Sequence, residues 1–161
     1  MRVVLLLLIL FTITINCQQA GGADLDLGKS ITIGSGPKTV IEFTDPDCPF
    51  CRKASKYFEE RSDVTRHVFF YPLPRHLRAK EKAQFILSQM DRASAYREVM
   101  SGRMDSVGKF EGITPKGIRL QEEQLEIAKK HKVDSTPTFM ISGRIIVGFD
   151  LKKIEEALGS K

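Results

Sequence analysis

Cysteine is scarce in this chain of 161 residues, which contains only Cys17, Cys48 and Cys51. A fold held together by several disulfides needs more thiols than these. A zinc site needs about four ligands. The chain has no second CxxC and no HxxxH, and its three histidines are scattered, at positions 67, 76 and 131. The cysteine content therefore argues against both a disulfide-rich scaffold and a zinc-binding module.

A membrane-spanning segment of ordinary length is also missing, because the longest apolar run covers only residues 3–15. This run follows Arg2 and precedes a polar, small-residue stretch at 16–23, a combination typical of a secretory signal peptide. We predict that residues 1–23 are cleaved off and that the mature protein is periplasmic. The alternatives are an uncleaved anchor and a lipid on Cys17, whose preceding residues match a lipobox poorly.

The chain is also not dominated by charge of one sign. The 25 basic and 20 acidic residues give a formal net charge of +5, and both signs are mixed along the chain. Short basic runs such as residues 129–132 are better explained as solvated helix ends than as nucleic-acid sites. We therefore expect no nucleic-acid partner. The sequence also shows no internal repeat and no low-complexity tract.

Strand-like and helix-like patterns follow one another after residue 23. The predicted strands cover residues 31–33, 39–44, 68–71, 138–142 and 145–147, and the predicted helices cover 49–60, 79–90, 95–100, 120–131 and 151–158, with Pro115 and Gly117 as breakers and Asp150 as the last N-cap. This order predicts an α/β fold with a central mixed β-sheet flanked by helices. The same order predicts a short N-terminal segment at residues 24–37 and one domain at residues 38–161, with a helical insert at about 76–131.

The motif DPDCPFCRK at 45–53 places Cys48 and Cys51 after a predicted strand, at the start of a predicted helix. A structural disulfide here would close a very short ring, for which loop entropy contributes little. A redox pair fits better, because the positive end of a helix favours the thiolate that attacks disulfides. We predict Cys48 as the nucleophile, Cys51 as the resolving thiol and Phe50 as an apolar surface beside them. The Cys48–Cys51 disulfide is the only predicted redox group, with no other cofactor and no metal.

The same motif carries a resemblance to a known family. EFTDPDCPFC at 42–51 and STPTF at 135–139, with YPLPR at 71–75 and EVM at 98–100, resemble thioredoxin-fold disulfide-exchange proteins. The similarity is to the catalytic domain of the bacterial DsbC/DsbG disulfide isomerases, over about residues 38–158. It implies a thioredoxin-like fold with a helical insertion. A CxxC motif alone is weak evidence, whereas CxxC, a distant Thr-Pro and this order of elements are specific together.

The resemblance also implies a role for the Thr-Pro pair. It implies that Pro137 follows a cis peptide bond and faces the cysteines. Exposed backbone at such a position can pair with an extended substrate, so Thr136, Pro137 and Phe50 are predicted to bind substrate. Without the resemblance, Thr136-Pro137 is equally well explained as a turn that begins a strand.

Glu42 interrupts an otherwise apolar strand upstream of Cys48. A carboxyl group buried there would have a raised pKa, and we predict that it accepts the proton of Cys51. The alternative is an exposed sheet edge. Thioredoxins and DsbA-type oxidases have an acid at the matching position, whereas DsbC-type isomerases usually have an apolar residue.

Asp45 and Asp47 are predicted to end the strand and cap the helix, with charges that oppose the effect of the helix on Cys48.

These features predict an exported thiol-disulfide oxidoreductase that reduces or isomerises disulfides in secreted proteins and is recharged by a membrane redox partner. Only residues 24–37 precede the catalytic domain after the predicted cleavage, so we expect no counterpart of the isomerases' dimerisation domain. The Pro-Phe pair between the cysteines lacks the histidine of strong oxidases. A DsbA-like oxidase and a non-catalytic thioredoxin-fold binding module are the alternatives.

Overall fold

The computed structural model describes residues 25–159, so the predicted signal peptide, its cleavage site and Cys17 lie outside the described residues. Five strands form one mixed sheet in the order β1-β3-β2-β4-β5. The strands are β1 (Ile31–Ile33), β2 (Lys38–Thr44), β3 (Val64–Phe70), β4 (Thr138–Ile141) and β5 (Arg144–Val147). The pair β2 and β3 is parallel, and the other neighbouring pairs are antiparallel. The predicted mixed sheet is therefore confirmed, and β1 of the N-terminal segment forms part of it.

Helices cover both faces of this sheet. They are α1 (Pro49–Glu59), α2 (Ala79–Ser88), α3 (Arg92–Met100), α4 (Pro115–Lys130) and α5 (Leu151–Leu158). On one face Val40 of β2 packs in a cluster with Phe58 of α1. On the other face Phe43 packs in a cluster with Ala128 of α4. Because side chains alternate along a strand, Glu42 and Thr44 project to the face covered by α1.

The starts of β3 and α4 differ most from the sequence prediction. β3 begins at Val64 rather than at residue 68, and its Arg66 is buried because Glu42 provides an opposite charge. α4 begins at Pro115, which suits a first helical position where no N–H is needed. Gly117, predicted as a breaker, packs against α2: an added Cβ would lie 2.0 Å from Ser88 Oγ. The prediction that these two residues break the helix was wrong.

The helix α2 ends at Ser88, before the predicted end, and Met90 beyond it is fully exposed. The predicted cap of the last helix is confirmed, because Asp150 accepts a hydrogen bond from the N–H of Lys153. No helix within residues 25–159 is both long and apolar enough to cross a membrane.

Candidate active site

Cys48 occupies the N-cap position of α1, at the end of the loop that leaves β2. Its N–H donates to the carbonyl oxygen of Asp45 at 3.1 Å, and Pro49 follows in the first turn of the helix. Both Cys48 and Cys51 are free thiols. Cys48 is 3% exposed and Cys51, one turn further into the helix, is fully buried. The loop and the helix thus place the outer thiol at the positive end of α1.

The two thiols differ strongly in acidity. The hydrogen bond with Cys51 is the largest cause that lowers the pKa of Cys48, to about 5, and burial opposes it. The backbone N–H groups of Cys51 and Phe50 lower the pKa of Cys48 further, as expected at a helix start. Burial, followed by the neighbouring Cys48, raises the pKa of Cys51. At neutral pH the pair therefore consists of one thiolate and one protonated thiol, as the predicted roles require.

A second segment meets Cys48 from across the site. The Thr136–Pro137 peptide bond is cis, which confirms what the resemblance implies. Cys48 Sγ lies 3.5 Å from the carbonyl oxygen of Thr136, to which the thiol form donates. Phe50 follows in the first turn of α1 with 57% of its surface exposed. The structure thus brings Cys48 and Thr136-Pro137 together, with an exposed aromatic ring adjacent in the chain.

Glu42 is fully buried in the central strand β2, which excludes an exposed sheet edge. Its Oε2 lies 3.1 Å from Nη1 of Arg66, and burial raises its pKa although this guanidinium opposes the shift. Arg66 also donates to the hydroxyl of Tyr96 at 3.3 Å and to Glu59 at 3.2 Å. Sequence reasoning identified the buried acid but not Arg66. Arg66 could have been recognised from its position within a largely β-branched and apolar stretch.

Asp45 does not cap α1, contrary to the prediction, because Cys48 is the N-cap and no side chain caps it. The Asp45 carboxylate is instead fully buried and accepts hydrogen bonds from the N–H groups of Asp47 and Leu73, each at 2.7 Å. His76 Nδ1 lies 2.9 Å from the same carboxylate. Asp45 therefore joins the segment that follows β3 to the loop that precedes the CxxC motif.

Asp47 also makes ion pairs instead of capping the helix. Its carboxylate contacts Lys82 of α2, whose side chain is 4% exposed and also lies 2.7 Å from Asp105 Oδ1. Arg52 donates to Asp105 at 2.6 Å. The helical insertion thereby holds the loop before Cys48, and the pKa of Cys48 is lowered despite the two nearby carboxylates. Sequence reasoning missed Lys82, whose signal was a lysine at a buried helix position.

The low pKa of Cys48 predicts how its alkylation depends on pH. Because the thiolate is the reactive form, iodoacetamide should modify folded, reduced protein with a rate that is half-maximal near pH 5 and falls below it. Mass spectrometry of the modified peptide gives the rate. The urea-unfolded protein is the control and should show half-maximal rates near the ordinary value of 9.0. A folded-state midpoint above pH 8 would contradict the assigned acidity.

A CxxC dithiol at the start of a helix, facing a cis-proline loop on a mixed sheet, defines a thioredoxin-fold dithiol protein. Residues 27–153 match the family described as Thioredoxin-like domain, and the chain belongs to that family. The thioredoxin-like fold that the resemblance implies is therefore confirmed. Within residues 25–159, no three side chains of the His, Cys, Asp or Glu type are grouped as a metal ion would require.

The chain is similar to proteins that are named for disulfide interchange. The chain is 27% identical over 117 residues to the "Probable thiol:disulfide interchange protein DsbC" of Bordetella avium, covering 71% of this chain and 39% of that protein. It resembles the crystal structure of a disulfide interchange protein from Neisseria gonorrhoeae, with a TM-score of 0.67, 29% identity and coverage of 83% and 99% of the two chains. The catalytic domain of Proteus mirabilis ScsC shares the fold, with a TM-score of 0.59, 22% identity and coverage of 78% and 86%.

Proposed function

We propose that this chain is a thiol-disulfide oxidoreductase that reduces or isomerises disulfides in cysteine-containing proteins. The observation that carries the proposal is the unequal acidity of Cys48 and Cys51 beside the Thr136-Pro137 loop. It supplies a nucleophile that is ionised at neutral pH and a second thiol that stays protonated until it is needed. Catalysis of insulin reduction by dithiothreitol is the direct test of this activity.

The reaction proceeds in two exchanges. The Cys48 thiolate attacks one sulfur of a substrate disulfide, and the other substrate sulfur leaves as a thiolate. Cys51 then loses its proton and attacks Cys48, so that the mixed disulfide breaks and the second substrate sulfur leaves with the electron pair. The substrate gains two electrons, and the Cys48–Cys51 pair becomes a disulfide. We assign Glu42 as the acceptor of the Cys51 proton, supported by its burial on the face of the sheet that α1 covers.

The cellular location and the partners that we propose for this reaction are those predicted from the sequence. Removal of residues 1–23 delivers the enzyme to the periplasm, where secreted proteins with cysteines are the substrates and a membrane redox partner recharges the pair. The backbone of Thr136 and the exposed ring of Phe50 would flank the bound substrate segment. Support for export comes from the N-terminal pattern of a basic tip, an apolar core and small residues.

The reduction potential of the Cys48–Cys51 pair should lie between those of thioredoxin, about −270 mV, and DsbA, about −120 mV. Only the reduced form contains the stabilised Cys48 thiolate, so a pKa of about 5 makes the pair easier to reduce than thioredoxin. Equilibration in glutathione buffers, followed by alkylation and mass spectrometry, gives the value.

A DsbA-like oxidase is the second candidate, favoured by the low pKa of Cys48 and by the buried acid Glu42. The same measurement separates the candidates. A potential near that of DsbA would favour the oxidase over the proposed reductase or isomerase. A potential at or below that of thioredoxin would contradict the stabilised thiolate.

A further inference from the structure

Thr44 lies between the buried acid and the buried thiol. Thr44 and Glu42 stand two residues apart in β2, so their side chains project to the same face of the sheet, and both residues are fully buried. Thr44 is the last residue of β2, and the N–H of the next residue, Asp45, donates to Cys51 Sγ at 3.4 Å. The end of the strand therefore places the Thr44 side chain between the Glu42 carboxyl group and Cys51.

Two oxygen atoms in this region have no hydrogen-bond partner. Within residues 25–159, Glu42 Oε1 and Thr44 Oγ1 are among the few buried side-chain atoms without one, since Arg66 contacts only Oε2 of Glu42. Buried polar atoms without a hydrogen-bond partner are rare, so their presence here calls for a functional explanation. Burial raises the pKa of both Glu42 and Cys51. The Thr44 hydroxyl lies near enough to both groups to lower their pKa values by weak hydrogen bonding, although it forms no bond of ordinary geometry with either.

We propose that the Thr44 hydroxyl relays the proton between Cys51 Sγ and Oε1 of Glu42, which makes Thr44 a catalytic residue of the exchange reaction. This inference rests on the proposed function and deepens it. A hydroxyl group suits the task because it accepts one hydrogen bond while it donates another.

The proton and the electrons balance in this step. The Cys51 proton moves to Thr44 Oγ1 while the hydroxyl proton of Thr44 moves to Glu42 Oε1. The electron pair left on Cys51 Sγ forms the bond to Cys48, and the bond between Cys48 and the substrate breaks, with its electron pair on the substrate sulfur. When the pair is reduced again, Cys51 leaves as a thiolate and takes the proton back by the same route.

Stopped-flow reaction of the reduced protein with excess Ellman's reagent isolates the step. The first release of aryl thiolate reports the attack by Cys48, and the second, concentration-independent release reports the attack by Cys51. Thr44→Val should slow the second phase at least about tenfold at pH 7 and move its pH midpoint upward, because valine keeps the shape but removes the hydroxyl. Thr44→Ser should restore a rate within about twofold of wild type.

The controls separate this relay from simpler explanations. Thr39→Val, at an exposed position of the same strand, should leave both phases unchanged. An unchanged first phase in Thr44→Val shows that the fold is intact, and if that variant does not fold, Thr44→Ala replaces it. An unchanged second phase, or equal slowing in Thr44→Ser, overturns the relay. A wild-type protein without any second phase would instead overturn the proposed function.

Discussion

Cys48→Ser should reduce catalysed insulin reduction to the uncatalysed rate, a loss on the order of a thousandfold or more. Serine cannot supply the thiolate, and Cys51 cannot replace it, because burial raises the pKa of Cys51 and leaves its side chain inaccessible. Turbidity of the precipitating insulin chains measures the rate. Substantial activity in Cys48→Ser would place the nucleophile elsewhere.

Cys51→Ala tests the same assignment from the other side. The first exchange remains possible in this variant and the second does not, so mixed disulfides between Cys48 and substrate proteins should accumulate. The hydrogen bond with Cys51 is the largest cause of the low pKa of Cys48, so its loss should raise that pKa, and trapping is best done near pH 8. The matched control is the double variant Cys48→Ser/Cys51→Ala, which should trap nothing. No accumulation of mixed disulfides by Cys51→Ala above the level of the double variant would favour a non-catalytic binding module.

The elements around the cysteines could be predicted because each depends on local sequence. A β-branched, apolar run forms β2, Pro49 suits the first turn of α1, and the CxxC spacing sets the two thiols one helical turn apart. The approach of Thr136-Pro137 could not come from local pattern, since its contact with Cys48 joins distant parts of the chain. Here only the resemblance indicated the geometry.

The charged groups of the site were less predictable for the same reason. A helix-capping role for Asp45 follows from local preference, but tertiary partners on the segment after β3 use its carboxylate instead. The sequence pattern indicates buried positions for Lys82 and Arg66, but only the packed fold shows that Asp47 and Glu42 are their partners. Burial of a charge depends on a distant opposite charge, which periodicity does not reveal.

Arg66→Met is expected to lower the free energy of unfolding by about 3–5 kcal/mol at pH 7, because it leaves a buried carboxylate without its counter-charge. The Arg66 side chain is 2% exposed and that of Glu42 is fully buried. The guanidinium of Arg66 also lies over the rings of Phe58 and Tyr96, and methionine retains part of this contact. Urea unfolding under reducing conditions measures the loss.

The pH dependence of this stability loss and a second substitution test whether the unpaired Glu42 carboxylate causes it. Burial holds the pKa of Glu42 above its ordinary value of 4.5, so its ionisation costs stability as pH rises, and the deficit of Arg66→Met should shrink toward pH 4.5. Adding Glu42→Leu should recover more than half of the loss, because no buried charge remains. Arg103→Met removes an exposed pair with Glu98 and should leave stability nearly unchanged. A deficit that is the same at every pH and persists in the double variant would instead assign it to lost packing around the guanidinium.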